Sequence, residues 1–286
     1  MTTIASFMSV SENGVRTLSM VSDSRVSWDL KNNTRIEYNF SQKLFHLHES
    51  NDVFGYCGDS GFCLSNLLQI VFYLNNSIQF SASQDFDTKR NILYDLIDKN
   101  LKHYPAIAIT ESFTIYWNSF LDKAFYSHKF VYNKITEELS DHSIKLPIKM
   151  SYVFYDGSGG KYYYKALENL DYKNNNYSRV YFKALNDIIE SQIDQKTGGP
   201  PQMISVSSNK GLLSTSFLFE KVYYLFGIED MYISNTEKVE YRDTDFNYRT
   251  SDGKIRNNYS KSYIRKLDIQ SWKTSTLKNK PAANRH

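Results

Sequence analysis

The sequence predicts an α+β protein, a four-layer αββα sandwich of two largely antiparallel sheets flanked by helices. Three observations carry that expectation. Segments of strand character alternate with pairs of helical segments, in the order strands, two helices, strands, two helices, strands. Successive strand segments lie close enough in sequence to be joined by hairpins, which favours antiparallel pairing. Aromatic residues make up 15% of the chain, chiefly 23 Tyr and 18 Phe, against 12 Gly and 5 Pro. Such side chains suit a half-buried pleated surface.

Each element has its own local reason. Residues 3–10 alternate loosely between apolar and polar, a strand pattern. Glu12-Asn13-Gly14 supplies a tight turn, because Asn-Gly tolerates the positive φ angles of a two-residue hairpin. Residues 15–21 read as the return strand, which delivers Ser22-Asp23-Ser24-Arg25 close to where the first strand began. Residues 35–40 and 43–49 read as a further pair of strands, with His46 and His48 turned away from Phe45 and Leu47. Two histidines on one strand face could bind a metal, but no third ligand is apparent nearby, so they read as surface residues. Residues 53–57 form a short apolar strand ending at Gly58-Asp59-Ser60-Gly61.

Leu64, Leu67, Leu68 and Val71 then recur at helical spacing. Residues 85–104 repeat it with Ile92, Leu93, Leu96, Ile97 and Leu101, and Pro105 closes that helix. Residues 107–132 are rich in β-branched and aromatic side chains and read as two or three strands, and the polar residues 133–146 as a loop. A strand over 152–155 runs into Gly157-Ser158-Gly159-Gly160, followed by helices over 162–170 and 179–193 and a strand over 203–206. Residues 2–210 are expected to form one domain. Residues 211–286 would be an extension, packed in part around 217–233 and polar beyond Asp243.

Charge is unevenly placed. The net charge is +3, yet from Lys254 onward nine Lys/Arg face only Asp268, leaving −5 for the rest of the chain. A solvated, flexible tail is the plain reading, and nucleic acid binding is conceivable only through that segment. Two cysteines, Cys57 and Cys63, are too few for a secreted disulfide framework, and no CxxC pair suggests zinc. No signal peptide is evident, and the best apolar run, residues 67–74, is short and holds Gln69. A cytoplasmic protein without membrane contact and without a cofactor is expected.

Five separated stretches point to chemistry. They are Met1-Thr2-Thr3-Ile4, Val21-Ser22-Asp23-Ser24-Arg25, Lys43, Tyr155 to Gly160, and Asp194 with Thr197-Gly198-Gly199. A threonine that can become the first residue, an acid, a base, a glycine turn, and a second acid with a glycine pair is the layout of an N-terminal nucleophile hydrolase. In such an enzyme the α-amino group is the base for its own nucleophile. The Gly157–Gly160 turn lacks the Walker spacing and its lysine, which argues against a phosphate loop.

On these residues the chain resembles the proteasome β-subunit family, including its simpler bacterial peptidase rings, over roughly residues 2–207. Thr2-Thr3-Ile4, Asp23-Ser24-Arg25, Lys43 before Leu44-Phe45, Gly58, Gly157-Ser158-Gly159, and Asp194 before Thr197-Gly198-Gly199 match its ordered motifs. The segments between Thr2 and Asp23 and between Asp23 and Lys43 are each a few residues longer than usual, Asp59 stands where a second glycine is common, and the chain runs past the usual end.

The resemblance implies an Ntn-hydrolase fold and a threonine peptidase in which Thr2 is the nucleophile once Met1 is removed. Lys43 would lower the pKa of the Thr2 hydroxyl, with Asp23 as its partner, and Gly58 would offer its N–H to the oxyanion. Ser158 and Asp194 would orient the α-amine. Arg25, Thr197 and Gly198 would support the site, and Val26, Phe45, Tyr56 and Ser60 would line the substrate pocket. Peptides or unfolded protein would be the substrate, a homo-oligomeric ring the assembly, and an ATP-dependent unfoldase a possible partner. Two other readings stay open: a silent scaffold that retains Met1, and a small-amide hydrolase.

Overall fold

A computed structural model describes residues 2–11, 14, 16–30, 34–83, 85–230 and 238–255. The Glu12-Asn13 half of the expected turn, Met1, and nearly all of the basic segment after Lys254 lie outside the described residues.

The chain opens with β1 (Thr3–Val10) and β2 (Arg16–Ser22), paired antiparallel with Ile4 opposite Ser22. Next come β3 (Val26–Asp29), β4 (Arg35–Tyr38), β5 (Leu44–His46) and β6 (Asp52–Gly58). Helices α1 (Ser60–Asn75), α2 (Ile78–Ala82) and α3 (Phe86–His103) follow, then a single 3-10 turn at Ala106–Ala108. Strands β7 (Phe113–Leu121), β8 (Ala124–Asn133), β9 (Glu138–Ser143) and β10 (Ser151–Gly157) lead to α4 (Gly160–Asn169) and α5 (Ser178–Ser191). The described chain ends with β11 (Gln202–Ser207), β12 (Gly211–Phe219), β13 (Val222–Leu225), β14 (Ile228–Glu229), β15 (Val239–Asp243) and β16 (Tyr248–Arg249).

Helix starts follow from side-chain capping. The Asp59 carboxylate accepts the N–H of Phe62 at the head of α1, and Asp85 accepts that of Thr88 at the head of α3. Lys102 and His103 sit in the last turn of α3, where positive charge suits the helix dipole.

Two large sheets and a separate two-stranded one, β3-β4, hold the described residues. One has nine strands, ordered β10-β1-β2-β11-β12-β13-β14, with β15 joined to β12 and β16 to β15. The other is ordered β5-β6-β7-β8-β9. All pairings are antiparallel except β12 with β15, which is parallel. Strand β12 runs along β11, with Met203 opposite Thr215, so the chain beyond residue 210 continues the larger sheet.

The core divides into three apolar clusters. Phe62, Leu67, Ile70, Leu93 and Ile97 of α1 and α3 pack on Phe54, Ile115, Trp117 and Phe130 of the five-stranded sheet. Tyr163 and Leu167 of α4, with Phe182, Leu185 and Ile189 of α5, pack on Ala5, Phe7, Val21 and Phe217 of the larger sheet. The third cluster joins Ile4, Met20, Ile204 and Val206 of the larger sheet to Leu44, Val53, Cys57 and Tyr116 of the smaller. Hydrogen bonds also cross between the sheets: Asn118 Nδ2 donates to Ser6 Oγ at 3.0 Å, and the Tyr116 hydroxyl donates to the Asp156 carboxylate.

Two local expectations are corrected. Residues 35–40 and 43–49 do not pair with each other: β4 pairs with β3, while β5 joins β6 in the five-stranded sheet. The hairpin carries its own cross-strand match of Trp28 with Ile36 and Val26 with Tyr38, which competes successfully with the later segment. Residues 133–146 are not all loop, because Glu138–Ser143 form β9. That strand is the sheet edge and faces solvent along most of its length, so it needs little apolar content and its sequence looks like a loop.

Candidate active site

The ends of β1, β2 and β10 meet the loop before β5 and the loop before β11, and the Asp23 carboxylate lies where they meet. It is fully buried and accepts four hydrogen bonds. Oδ1 accepts the Thr3 N–H at 3.0 Å and the Lys43 ammonium at 2.8 Å. Oδ2 accepts the N–H groups of Arg25 at 3.1 Å and Gly198 at 3.0 Å. Four sequence segments are thereby tied to one charge. The pairing is local in origin: β2 hands its last residue, Ser22, to the Thr3 carbonyl through a side-chain hydrogen bond of 3.0 Å, which leaves Asp23 beside the start of β1.

Lys43 is also fully buried, and its ammonium donates both to Asp23 and to the carbonyl of Arg25. Burial holds its pKa below the ordinary lysine value, with the Asp23 charge opposing that shift. A lysine held this way gives up its proton more readily than one in water.

The second acid is built on its own loop. Asp194 Oδ2 accepts the Ser158 hydroxyl at 2.7 Å and the Thr197 hydroxyl at 2.7 Å. The Thr197 and Thr3 hydroxyls share a hydrogen bond of 2.6 Å, so the chain Ser158–Asp194–Thr197–Thr3 ends one residue from Thr2. Thr2 itself is buried.

The glycines are required by close approach. A Cβ on Gly157, at φ +85°, would stand 1.8 Å from the Thr2 carbonyl oxygen. One on Gly159 would stand 1.8 Å from Thr3 Oγ1. Gly58, at φ +94°, faces the Ser112 carbonyl, where a Cβ would meet oxygen at 2.2 Å. Gly198 packs on the Arg25 guanidinium, which would be 2.5 Å from a Cβ. That guanidinium binds the Asn39 side chain at 2.7 Å, the Gln195 carbonyl at 2.9 Å and Glu37 at 3.1 Å, clamping the Asp194 loop against the β3–β4 hairpin.

Among the residues expected to line a substrate pocket, Val26 is buried at the start of β3. Phe45 and Tyr56 belong to the cluster under α1 and α3, and Ser60 is partly exposed at the head of α1. Asp59, in the place of a glycine, caps α1 and accepts the N–H of Thr110 at 2.7 Å. Among the described residues no group of three His, Cys, Asp or Glu could hold a metal ion, and no helix is long and apolar enough to cross a membrane.

One residue that organises this site escaped the sequence reading. Gln202 is fully buried at the start of β11. Its Oε1 accepts the N–H groups of Lys43 at 3.0 Å and Leu44 at 3.2 Å. Its Nε2 donates to Ser24 Oγ and to the Ser41 carbonyl, both at 2.7 Å. A lone glutamine after Pro200-Pro201 carries no motif, and only its position beside two glycines of a site loop could have drawn attention to it.

No protein-family model matches the sequence. No curated protein matches it either. Solved structures that are similar include Anbu (ancestral beta-subunit) from Yersinia bercovieri, at 12% identity and TM-score 0.48, covering 75% of this chain and 87% of that one. An Anbu variant from Hyphomicrobium sp. strain MC1 is similar at 11% identity and TM-score 0.49, covering 96% and 99%. Eukaryotic HslV from Trypanosoma brucei is similar at 16% identity and TM-score 0.42, covering 71% and 98%.

Proposed function

We propose that the chain is an N-terminal nucleophile hydrolase with a four-layer αββα sandwich, acting as a threonine peptidase through Thr2. The observation that supports this most directly is the four-bonded Asp23 carboxylate, which gathers the Thr3 backbone, the buried Lys43 ammonium and the Gly198 loop beside residue 2.

The mechanism requires Thr2 to carry a free α-amine, so whatever precedes it must be cleaved off. That amine, with an ordinary pKa of about 7.7–8.0, takes the hydroxyl proton as the Oγ attacks a peptide carbonyl. The nearby Lys43 ammonium favours the developing alkoxide, and Asp23 keeps that cation paired in a buried site. The Gly58 N–H receives the negative charge that forms on the carbonyl oxygen. The amine then passes the proton to the leaving nitrogen, and water, deprotonated by the same amine, releases the acyl group from the threonine ester. The Ser158–Asp194–Thr197 chain fixes where the amine points. Ser60 and Val26 would contact substrate at the rim, with Phe45 and Tyr56 beneath them as a floor.

A homo-oligomeric ring in the cytoplasm, fed by an unfoldase, would confine such an activity. Hydrolysis of fluorogenic peptides by the protein beginning at Thr2, with loss of about 10³-fold or more in Thr2→Ala, is the expected result. A Thr2→Ala protein that hydrolysed them at the original rate would end this reading. So would an intact-mass measurement showing that an active preparation retains Met1.

A further inference from the structure

Asp156 is a charged residue next to the site that the chemistry above does not use. It is the penultimate residue of β10, immediately before Gly157-Ser158. The register of β1 and β10 sets Thr3 opposite Gly157 and Ile4 opposite Asp156. Residues directly opposite share a face, and residues two apart on an extended strand share one too. Thr2, Ile4 and Asp156 are therefore on one face, the face whose Ile4 packs against Cys57 and Tyr116 of the smaller sheet. Thr2 and Asp156 are diagonal neighbours there, an arrangement that separates residues by about 7–8 Å.

The carboxylate is held in place. Its Oδ1 accepts the Gly157 N–H at 2.7 Å, and its Oδ2 accepts the hydroxyl of Tyr116. Tyr116 is itself buried and stacked on Phe154 with ring centres 3.9 Å apart. The Cys57 thiol lies against the same carboxylate. Burial, reinforced by the charge of Asp156, pushes both the thiol and the phenol well above their usual pKa values, so both stay neutral. Among the described residues, then, Asp156 has a phenol, a thiol and a backbone N–H as partners and no cation. Unlike Asp23, it is only partly buried and so remains reachable from outside.

A fixed carboxylate with no cationic side chain as partner among the described residues, at the edge of the space between the sheets and diagonal to the nucleophile, is a receptor for positive charge. We propose that Asp156 is a specificity-determining residue that selects substrates carrying an arginine or lysine side chain next to the bond attacked by Thr2. This rests on the peptidase reading above and adds the substrate class to it. The attraction is that of a partly exposed ion pair, so it should be modest and weakened by salt.

The test uses paired peptides that differ only in arginine against citrulline, its neutral near-isostere, beside a fluorogenic amide. In the unaltered sequence, starting at Thr2, kcat/KM should favour arginine by about five-fold, and the preference should shrink as salt is raised. In Asp156→Asn the ratio should fall to about one, and Asp156→Glu should recover part of it. A ratio that is unity from the outset, or that Asp156→Asn leaves intact, would overturn the proposal. Because a mere structural role would change both substrates together, the ratio isolates recognition of charge. If neither peptide is cleaved, the peptidase reading fails, and polarisation of the same two peptides carrying a fluorescent label decides the matter of Asp156. Tighter binding of the arginine peptide, lost in Asp156→Asn, would sustain the receptor. Equal binding would remove it.

Discussion

Replacing Asp23 by asparagine should strike fold and site together. The carboxylate is fully buried, and Asn can offer only one acceptor oxygen where two now accept four donors. The Lys43 ammonium, also fully buried, would lose its counter-charge. Breaking a buried ion pair by removing one partner costs about 3–5 kcal/mol, against a total stability of about 5–15 kcal/mol for a typical domain. With a urea dependence of about 3 kcal/mol per molar, the unfolding midpoint should fall by roughly 1–1.7 M. The fluorescence of Trp117, whose indole N–H binds buried Asp52 at 2.7 Å, would report the transition.

Lys43→Met should cost less, about 1.5–3 kcal/mol, because Asp23 keeps its three backbone donors. The double variant Asp23→Asn/Lys43→Met removes the stranded cation and should cost at least 1 kcal/mol less than the two single changes added together. The pH dependence has a definite sign. Lys43 binds its proton less tightly when folded than when unfolded, so the unfolded chain holds more protons between the two pKa values. Stability therefore rises with pH across that window. Without Asp23 the folded pKa falls further, so the deficit of Asp23→Asn should be largest at low pH and narrow as pH rises. Single and double changes that simply add to within about 0.5 kcal/mol, with a deficit independent of pH, would refute the coupling.

Gly157→Ala would drive a Cβ into the Thr2 carbonyl at a positive φ. A loss of about 2 kcal/mol and of about 10²-fold in turnover is expected, checked by thermal unfolding and peptide hydrolysis. Gln202→Leu leaves the Lys43 and Leu44 N–H groups and the Ser41 carbonyl without their partner, and should lower stability by about 3–5 kcal/mol in urea titrations. Cys57 and Cys63 are both buried with thiol pKa values pushed up by burial, so neither should react with a disulfide reagent in the native protein, and both should react in denaturant.

Elements with strong local signals were legible in the sequence. The β1–β2 alternation, the helical spacing of α1, α3 and α5, and the strand leading to Gly157 could be read to within a few residues. The polar edge strand β9 and the five-residue α2 could not, because neither buries enough apolar surface to leave a pattern. Strand β3 was hidden for another reason: Val26–Asp29 follow the Asp23-Ser24-Arg25 segment without a break, and their pairing to β4 depends on a contact made later in the chain.

Within the site, Asp23, Lys43, Ser158 and Asp194 stood out through short motifs, whereas Gln202 acts through four bonds to distant segments that no spacing announces. The same holds for Lys89, which is buried and pairs with buried Asp52 at 2.9 Å. The pair is 37 positions apart and unites α3 with β6, two elements whose neighbourhood only the folded chain reveals.

The hydrogen bond from Asn118 to Ser6 has a bearing on how the molecule can deform. Greasy layers resist separation but offer little opposition to shear, since one apolar contact replaces another at small cost. Thr2 lies at the head of a strand in one layer and Lys43 at the head of a strand in the other. Slippage by a single residue would draw Thr2 and the Lys43 ammonium apart by about 3.3 Å. A directional polar dowel through the greasy seam makes the alignment of the layers discrete, and the spacing of Thr2, at the head of the strand that carries Ser6, from Lys43, at the head of β5, is inherited from it.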